Sequence, residues 1–108
     1  MPREDRRLIF DYTEAYRAVY ALCVQKELKK PPPGSLTKVT VDQGAEKKFT
    51  FQLENHQDNT TATVSYSSDF LAAALMLYCR TCGIPLPKRA QKSVMLKDDT
   101  VILRIVIG

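Results

Sequence analysis

The sequence predicts an α+β fold of two layers, in which both helices pack on one face of a mainly antiparallel sheet. One segment repeats apolar residues at helical spacing, and a second is apolar on nearly all sides over nine residues. Three short segments alternate apolar and polar residues, and two further short apolar segments close the chain. The predicted order of elements is α-β-β-β-α-β-β. The 108 residues suit a single domain, residues 1–108, with residues 1–8 as a flexible or peripheral N-terminal segment. We identify no internal repeat.

The first helix is predicted to begin after Asp11, which can cap it, and Glu14 fits the reciprocal position of a capping box. Apolar residues then recur at helical spacing and predict one buried face. These residues are Tyr12, Ala15, Tyr16, Val19, Leu22 and Cys23. The pattern runs to about Lys29, and the prolines at 31–33 end it because proline lacks a backbone donor.

Three strands are predicted next, each with alternating apolar residues. The inward-facing sets are Thr37, Val39 and Val41, then Phe49, Phe51 and Leu53, then Ala62, Val64 and Tyr66. Strict alternation predicts one buried face and one solvated face, as in an antiparallel meander. Residues 42–47 and 55–60 contain the turn-forming residues and are predicted to be hairpin loops.

The second helix is predicted to begin at Ser67 or Ser68 and to end at Gly83. Residues 70–78 are apolar on nearly all sides, which indicates burial on more than one side or an interface. Two strands follow, at residues 93–97 and 101–107. The last is apolar on both faces except for Arg104, which is typical of a central strand or of a dimer contact.

The three cysteines, Cys23, Cys79 and Cys82, are an odd number and favour reduced thiols in a cytoplasmic protein. Cys79 and Cys82 form a C-x-x-C pair at a helix C-terminus, where the helix dipole disfavours thiolate. We therefore expect buried, inert thiols and no cofactor. The alternatives are a zinc site that the pair forms with Cys23 and His56, and a redox role for the pair. The longest apolar run is too short to cross a membrane.

The net charge of +4 is uneven along the chain: residues 67–108 carry six basic and three acidic residues, and no acidic residue lies between Asp69 and Asp98. The candidate cations for binding an anionic partner are Arg80, Lys88, Arg89 and Lys92. Residues 88–92 resemble the basic motif of double-stranded-RNA-binding domains, and the first five predicted elements of this chain, α-β-β-β-α, have the same order as those domains. In those domains the motif opens the second helix, whereas here it follows that helix.

Enzyme activity is not expected, because the sequence contains no glycine-rich phosphate loop, no G-x-S-x-G and no H-E-x-x-H. The sequence favours a small non-catalytic binding or regulatory module that contacts another protein or a second copy of itself. The apolar surplus of the second helix and last strand supports this hypothesis. The alternatives are a nucleic-acid-binding accessory protein that uses the basic residues, and a zinc- or redox-dependent protein that uses Cys79 and Cys82.

Overall fold

The computed structural model describes residues 3–42, 44 and 47–107. Over these residues the chain forms two helices and six strands, in the order β-α-β-β-β-α-β-β. The elements are β1 (Glu4–Phe10), α1 (Tyr12–Gln25), β2 (Ser35–Asp42), β3 (Lys48–Asn55), β4 (Thr60–Ser67), α2 (Ser68–Thr81), β5 (Gln91–Lys97) and β6 (Thr100–Ile107).

The strands form two antiparallel sheets of three, in the orders β1-β6-β5 and β2-β3-β4. The two helices pack against each other and on the sheets. The predicted α+β class with antiparallel strands is therefore confirmed. Two features differ from the prediction: the strands are divided between two sheets, and a strand precedes the first helix.

The additional strand, β1, overlaps residues 1–8, the segment predicted to be flexible or peripheral. It pairs with β6 along its whole length, with Leu8 opposite Leu103 and Phe10 opposite Val101. Because β1 is at the edge of its sheet, much of its surface meets water, and residues 4–7 are charged. This charged run concealed the alternation by which Leu8 and Phe10 reach the core.

Both helices begin at the predicted caps. The Glu14 amide donates to Asp11 Oδ1 at 2.8 Å, and the Asp11 amide donates to Glu14 Oε1 at 3.0 Å, which completes the capping box. The Phe70 amide donates to Ser67 Oγ at 3.1 Å at the start of α2. Helix α1 ends at Gln25, earlier than predicted, because the chain turns through a left-handed residue, Glu27, before it reaches the prolines.

The core lies between the helices and the sheets, and the predicted inward residues of β3 (Phe49, Phe51 and Leu53) are buried there. The prediction for β2 is wrong at Thr37, which is exposed. A β-bulge between Leu36 and Lys38 shifts the alternation, so that Leu36 packs against the core in its place.

Strand β6 is the central strand of its sheet, which confirms one of the two readings of its apolar sequence. Val101, Leu103 and Ile105 face the core, and Ile102 is buried outside that core cluster. The apolar surplus of this strand is thus explained by its central position, so it does not indicate a dimer contact.

The chain consists of two topologically equivalent β-α-β-β units, β1-α1-β2-β3 and β4-α2-β5-β6. Both helices contain 14 residues, and both are followed by connections of equal length, residues 26–34 and 82–90. The units exchange their first strands: β4 completes the sheet of the β2-β3 hairpin, and β1 completes the sheet of the β5-β6 hairpin. Equivalent residues from β1 to the end of the first connection are 56 positions apart.

The helix ends show the same equivalence in atomic detail. Glu27 and Gly83, at equivalent positions, both have left-handed φ angles, 55° and 75°. The following amides, Leu28 and Ile84, each donate to the carbonyl of an equivalent cysteine at 2.8 Å. The repeat was missed because residues 4–34 and 60–90 share few identities at this spacing, among them those cysteines, Cys23 and Cys79.

Candidate functional site

Three of the four cations predicted to bind an anionic partner line one surface groove, with a volume of about 360 Å³. We call it the basic groove. Its lining residues are Met76, Arg80, Ile84, Pro85, Leu86, Pro87, Lys88 and Lys92. The fourth cation, Arg89, is exposed but is not among the lining residues.

The end of α2 and the connection that follows it build the basic groove. Met76 and Arg80 lie one helical turn apart on α2, so their side chains are neighbours. Gly83 then reverses the chain with its left-handed φ, and the Ile84 amide donates to the Cys79 carbonyl at 2.8 Å. The proline-rich segment is thereby held beside the helix, and the first residues of β5 bring Lys92 to the other side.

The basic groove combines an apolar floor with cations that are available to a ligand. Ile84 and Leu86 are partly buried against the core, and the described residues that line the groove include no acidic one. Arg80 and Lys88 are exposed and form no ion pair with another described residue. Lys92 Nζ donates to the Ala90 carbonyl at 3.4 Å. This arrangement favours a ligand that carries both apolar and acidic groups.

A second groove, of about 390 Å³, adjoins the first and shares Met76 and Arg80 with it. Its other lining residues come from both helices: Leu22, Gln25, Lys26, Ala73 and Leu77. The apolar surface therefore continues from the proline-rich connection into the space between the helices. Lys26 adds a further cation at its edge.

The C-x-x-C pair is divided between the core and the surface. Cys79 is buried as predicted, whereas the prediction of an inward-facing Cys82 is wrong. Helix α2 ends at Thr81, so Cys82 is the C-cap residue and lies at the exposed end of the helix. Neither thiol is among the residues that line the basic groove.

Burial determines the chemistry of the two inner thiols. It raises the pKa of Cys79, and the neighbouring Cys82 raises that pKa further, while the charge of Arg6 lowers it. Burial also raises the pKa of Cys23, its equivalent in the first unit. Thiolate formation is therefore disfavoured at both positions.

The candidate zinc ligands are not brought together. His56 is exposed in the loop between β3 and β4, whereas Cys23 and Cys79 are buried in the core. Over residues 3–42, 44 and 47–107, no three histidine, cysteine, aspartate or glutamate side chains are placed to hold a metal ion.

The other β-α-β-β unit presents a related surface that the sequence analysis did not predict. Tyr20, Val24 and Leu28 are equivalent to Met76, Arg80 and Ile84, and their exposed fractions are 38%, 50% and 49%. Lys30 Nζ lies 5.8 Å from the centre of the Tyr20 ring. The sequence signal for this surface is the i, i+4, i+8 spacing of three apolar residues that do not belong to the buried face of α1.

Neither α1 nor α2 is long and apolar enough to cross a membrane, and the described residues include no other helix. Comparisons of the chain with protein-family models, with curated proteins and with solved structures found no match.

Proposed function

We propose that the protein is a small, non-catalytic binding module that acts in the cytoplasm through contacts with other proteins. We further propose that its basic groove binds an acidic segment that carries apolar side chains. One observation carries this proposal: Arg80, Lys88 and Lys92 lie around an apolar floor, and none of the described residues that line it is acidic. The cytoplasmic location accords with the three free cysteines.

Apolar contact would supply affinity, and the cations would supply selectivity. Burial of apolar surface contributes about 25 cal/mol per Å², and the floor offers Met76, Ile84 and Leu86 for this contact. The exposed charges of Arg80 and Lys88 attract acidic ligands and reject basic ones. Because these charges meet water, salt should weaken the binding.

Fluorescence anisotropy with two labelled peptides tests the proposal. In the first peptide glutamates alternate with leucines, and in the second glutamine replaces every glutamate. The double variant R80E/K88E reverses the groove charge, and K38E/K97E makes the same change at exposed lysines outside the groove.

We expect the glutamate peptide to bind the unmodified protein and K38E/K97E. We expect its affinity for R80E/K88E to fall by about tenfold or more, since a reversed charge both removes an attraction and adds a repulsion. Equal binding of the glutamine peptide, or equal loss in the control variant, would contradict a role for the groove cations.

Nucleic-acid binding is the second candidate, and the convergence of Arg80, Lys88 and Lys92 on one groove favours it. Three phosphate contacts give a slope of about −2.7 for the logarithm of the affinity against the logarithm of the salt concentration. Among residues 3–42, 44 and 47–107, no aromatic residue on which bases could stack lines the groove, which favours a protein ligand. Filter binding with mixed-sequence duplex DNA and single-stranded RNA distinguishes the two candidates. Retention at low salt that R80E/K88E abolishes would support nucleic acid.

A further inference from the structure

Strand β4 is an edge strand without any charged residue. It spans Thr60–Ser67, with the sequence TTATVSYS, and pairs with β3 on one side. No described strand pairs with its other side, so a row of backbone donors and acceptors is open there. The strand is eight residues long, is rich in β-branched residues and lacks proline. Such an edge readily pairs with another strand.

The equivalent strand of the other unit, β1, is protected against such pairing. It too is an edge strand, but residues 4–7 are all charged. Arg104 on the neighbouring strand holds Asp5 through a hydrogen bond of 2.6 Å from Nη2 to Oδ2. Charged side chains on an edge discourage pairing because a second strand would bury them or place like charges together. The two edges have the same topology, so the fold does not require β4 to be neutral.

The remaining edges, β2 and β5, lie beside each other. The Lys47 ammonium group donates to the Val94 carbonyl of β5 at 3.1 Å. Val41 of β2 and Met95 of β5 line one cavity between the sheets. Of the four edges, β4 is thus the one that is both neutral and open on the described part of the chain.

We propose that β4 pairs antiparallel with β4 of a second copy, which gives a two-fold symmetric dimer with a continuous six-stranded sheet. This inference rests on the proposed function, in that the module acts through protein contacts, and it names the contact used for self-association. A second copy is the favoured occupant because a neutral strand meets itself without like-charge repulsion. A two-fold contact is also closed, so it stops at the dimer.

The alternation of β4 restricts how two copies can pair. Ala62, Val64 and Tyr66 lie on the core side, and Thr61, Thr63 and Ser65 lie on the exposed side. Directly opposed residues of an antiparallel pair point to the same face. The two-fold axis must therefore pass between the two copies of a single residue, which then oppose each other. Thr63 and Val64 are the two residues nearest the middle of β4, so each defines one possible register. In the first register Thr63 opposes itself, and in the second it opposes Ser65.

The double variant T63K/S65K tests the proposal in both registers. It places lysines directly opposite each other in either one, and like charges in opposed positions destabilise a strand pair. The control S35K/T40K adds the same charge at exposed positions of β2 in the same sheet. The charge-reversed variant T63E/S65E provides a complementary edge. Light scattering after size exclusion, supported by sedimentation over a range of concentrations, measures the mass.

We expect the unmodified protein and the control to show twice the 12.2 kDa of one chain. We expect the dimer dissociation constant of T63K/S65K to rise by about tenfold or more. A mixture of T63K/S65K and T63E/S65E should recover a heterodimer, which misfolded variants could not form. Circular dichroism of each variant verifies the fold.

Three results would overturn the inference: an unmodified protein that is monomeric at every concentration, a T63K/S65K variant as dimeric as the unmodified protein, or an equal loss in the control. The peptide assay on the basic groove separates this outcome from failure of the proposed function. A monomer that binds the glutamate peptide contradicts the β4 contact alone, whereas a β4 dimer that does not bind the peptide contradicts the proposed groove ligand alone.

Discussion

Replacement of Tyr66 by phenylalanine should raise the free energy of unfolding. The Tyr66 hydroxyl oxygen is buried and has no hydrogen-bond partner among the described residues. The ring itself is well packed, with its centroid 5.4 Å from that of Phe51 and 5.2 Å from that of Phe70. Phenylalanine keeps both ring contacts and removes the unpaired hydroxyl. The equivalent position of the first unit already holds phenylalanine, Phe10.

The expected gain follows from the desolvation of the hydroxyl. A buried polar group without a partner costs about 1–3 kcal/mol. We expect Tyr66→Phe to raise the free energy of unfolding by about 1 kcal/mol, near the lower limit of this range, because the Tyr66 side chain as a whole is only partly buried. For a domain of this size, that gain raises the Tm by about 4–8 °C.

The pH dependence gives the same substitution a second signature. Burial, with smaller contributions from Cys23 and Tyr16, raises the pKa of Tyr66 to about 12. The folded state thus retains the phenolic proton in a range where the unfolded state loses it. The stability of the unmodified protein is therefore unaffected by this titration below pH 10, and it falls as the pH rises from 10 towards about 12, because only the unfolded state loses the proton there. The stability difference between the variant and the unmodified protein should therefore widen between these values.

Urea unfolding followed by far-ultraviolet circular dichroism measures the change, since the chain contains no tryptophan. Tyr16→Phe is the matched control. The Tyr16 hydroxyl donates to the Pro32 carbonyl at 3.1 Å, so the same chemical change should destabilise by about 0.5–1.5 kcal/mol. If Tyr66→Phe loses as much stability as Tyr16→Phe, the Tyr66 hydroxyl has a partner and the reasoning is refuted.

Three further outcomes are expected. Glu27→Gly should stabilise the protein by about 1 kcal/mol in urea unfolding, because glycine suits the left-handed φ that Gly83 adopts at the equivalent position; a loss would show that the Glu27 side chain contributes to packing. Cys82 should react rapidly with a thiol reagent and the other two cysteines only on unfolding, so three fast thiols would contradict the described burial. Hydrogen bonds from Arg104 lower the pKa of Asp5, so Asp5→Asn should be less stable than the unmodified protein at pH 7. This difference in the free energy of unfolding should vanish as the pH falls below 3.8, and a difference that persists at about pH 2 would exclude the linkage.

Sequence patterns predicted those elements that depend only on residues close together in the chain. The Asp11 capping box, the alternation of β3 and the helix stop at Gly83 depend on residues within one or two turns, and the structure confirms all three. Strand β1 was missed because its pairing with β6 brings together opposite ends of the chain. The bulge at Leu36 was missed for a related reason, since it is defined by the register with β3.

The candidate site was only partly accessible to sequence reasoning. The charge gap indicated Arg80, Lys88 and Lys92, and these residues line one groove because the chain reverses at Gly83 and returns beside α2. Met76 and Leu86 were not singled out, since apolar residues are ambiguous until the fold shows which of them the core leaves accessible. Helical spacing from Cys79 predicts an inward-facing Cys82, but α2 ends at Thr81, so the thiol one residue beyond it is exposed.

The duplicated topology separates what the fold requires from what it permits. Features shared by equivalent positions, such as the left-handed residue after each helix and the buried Cys23 and Cys79, recur because both units meet the same packing constraints. Features that differ cannot have that origin, because the constraints are the same in both units. Strand β1 has a charged edge, whereas the equivalent strand β4 has a neutral one. Arg80 and Lys88 of the second unit stand at the positions of Val24 and Pro32 in the first. These differences lie on the surface, and they coincide with the β4 edge and the basic groove. The asymmetry between the units is therefore the strongest structural reason to seek binding at those two surfaces.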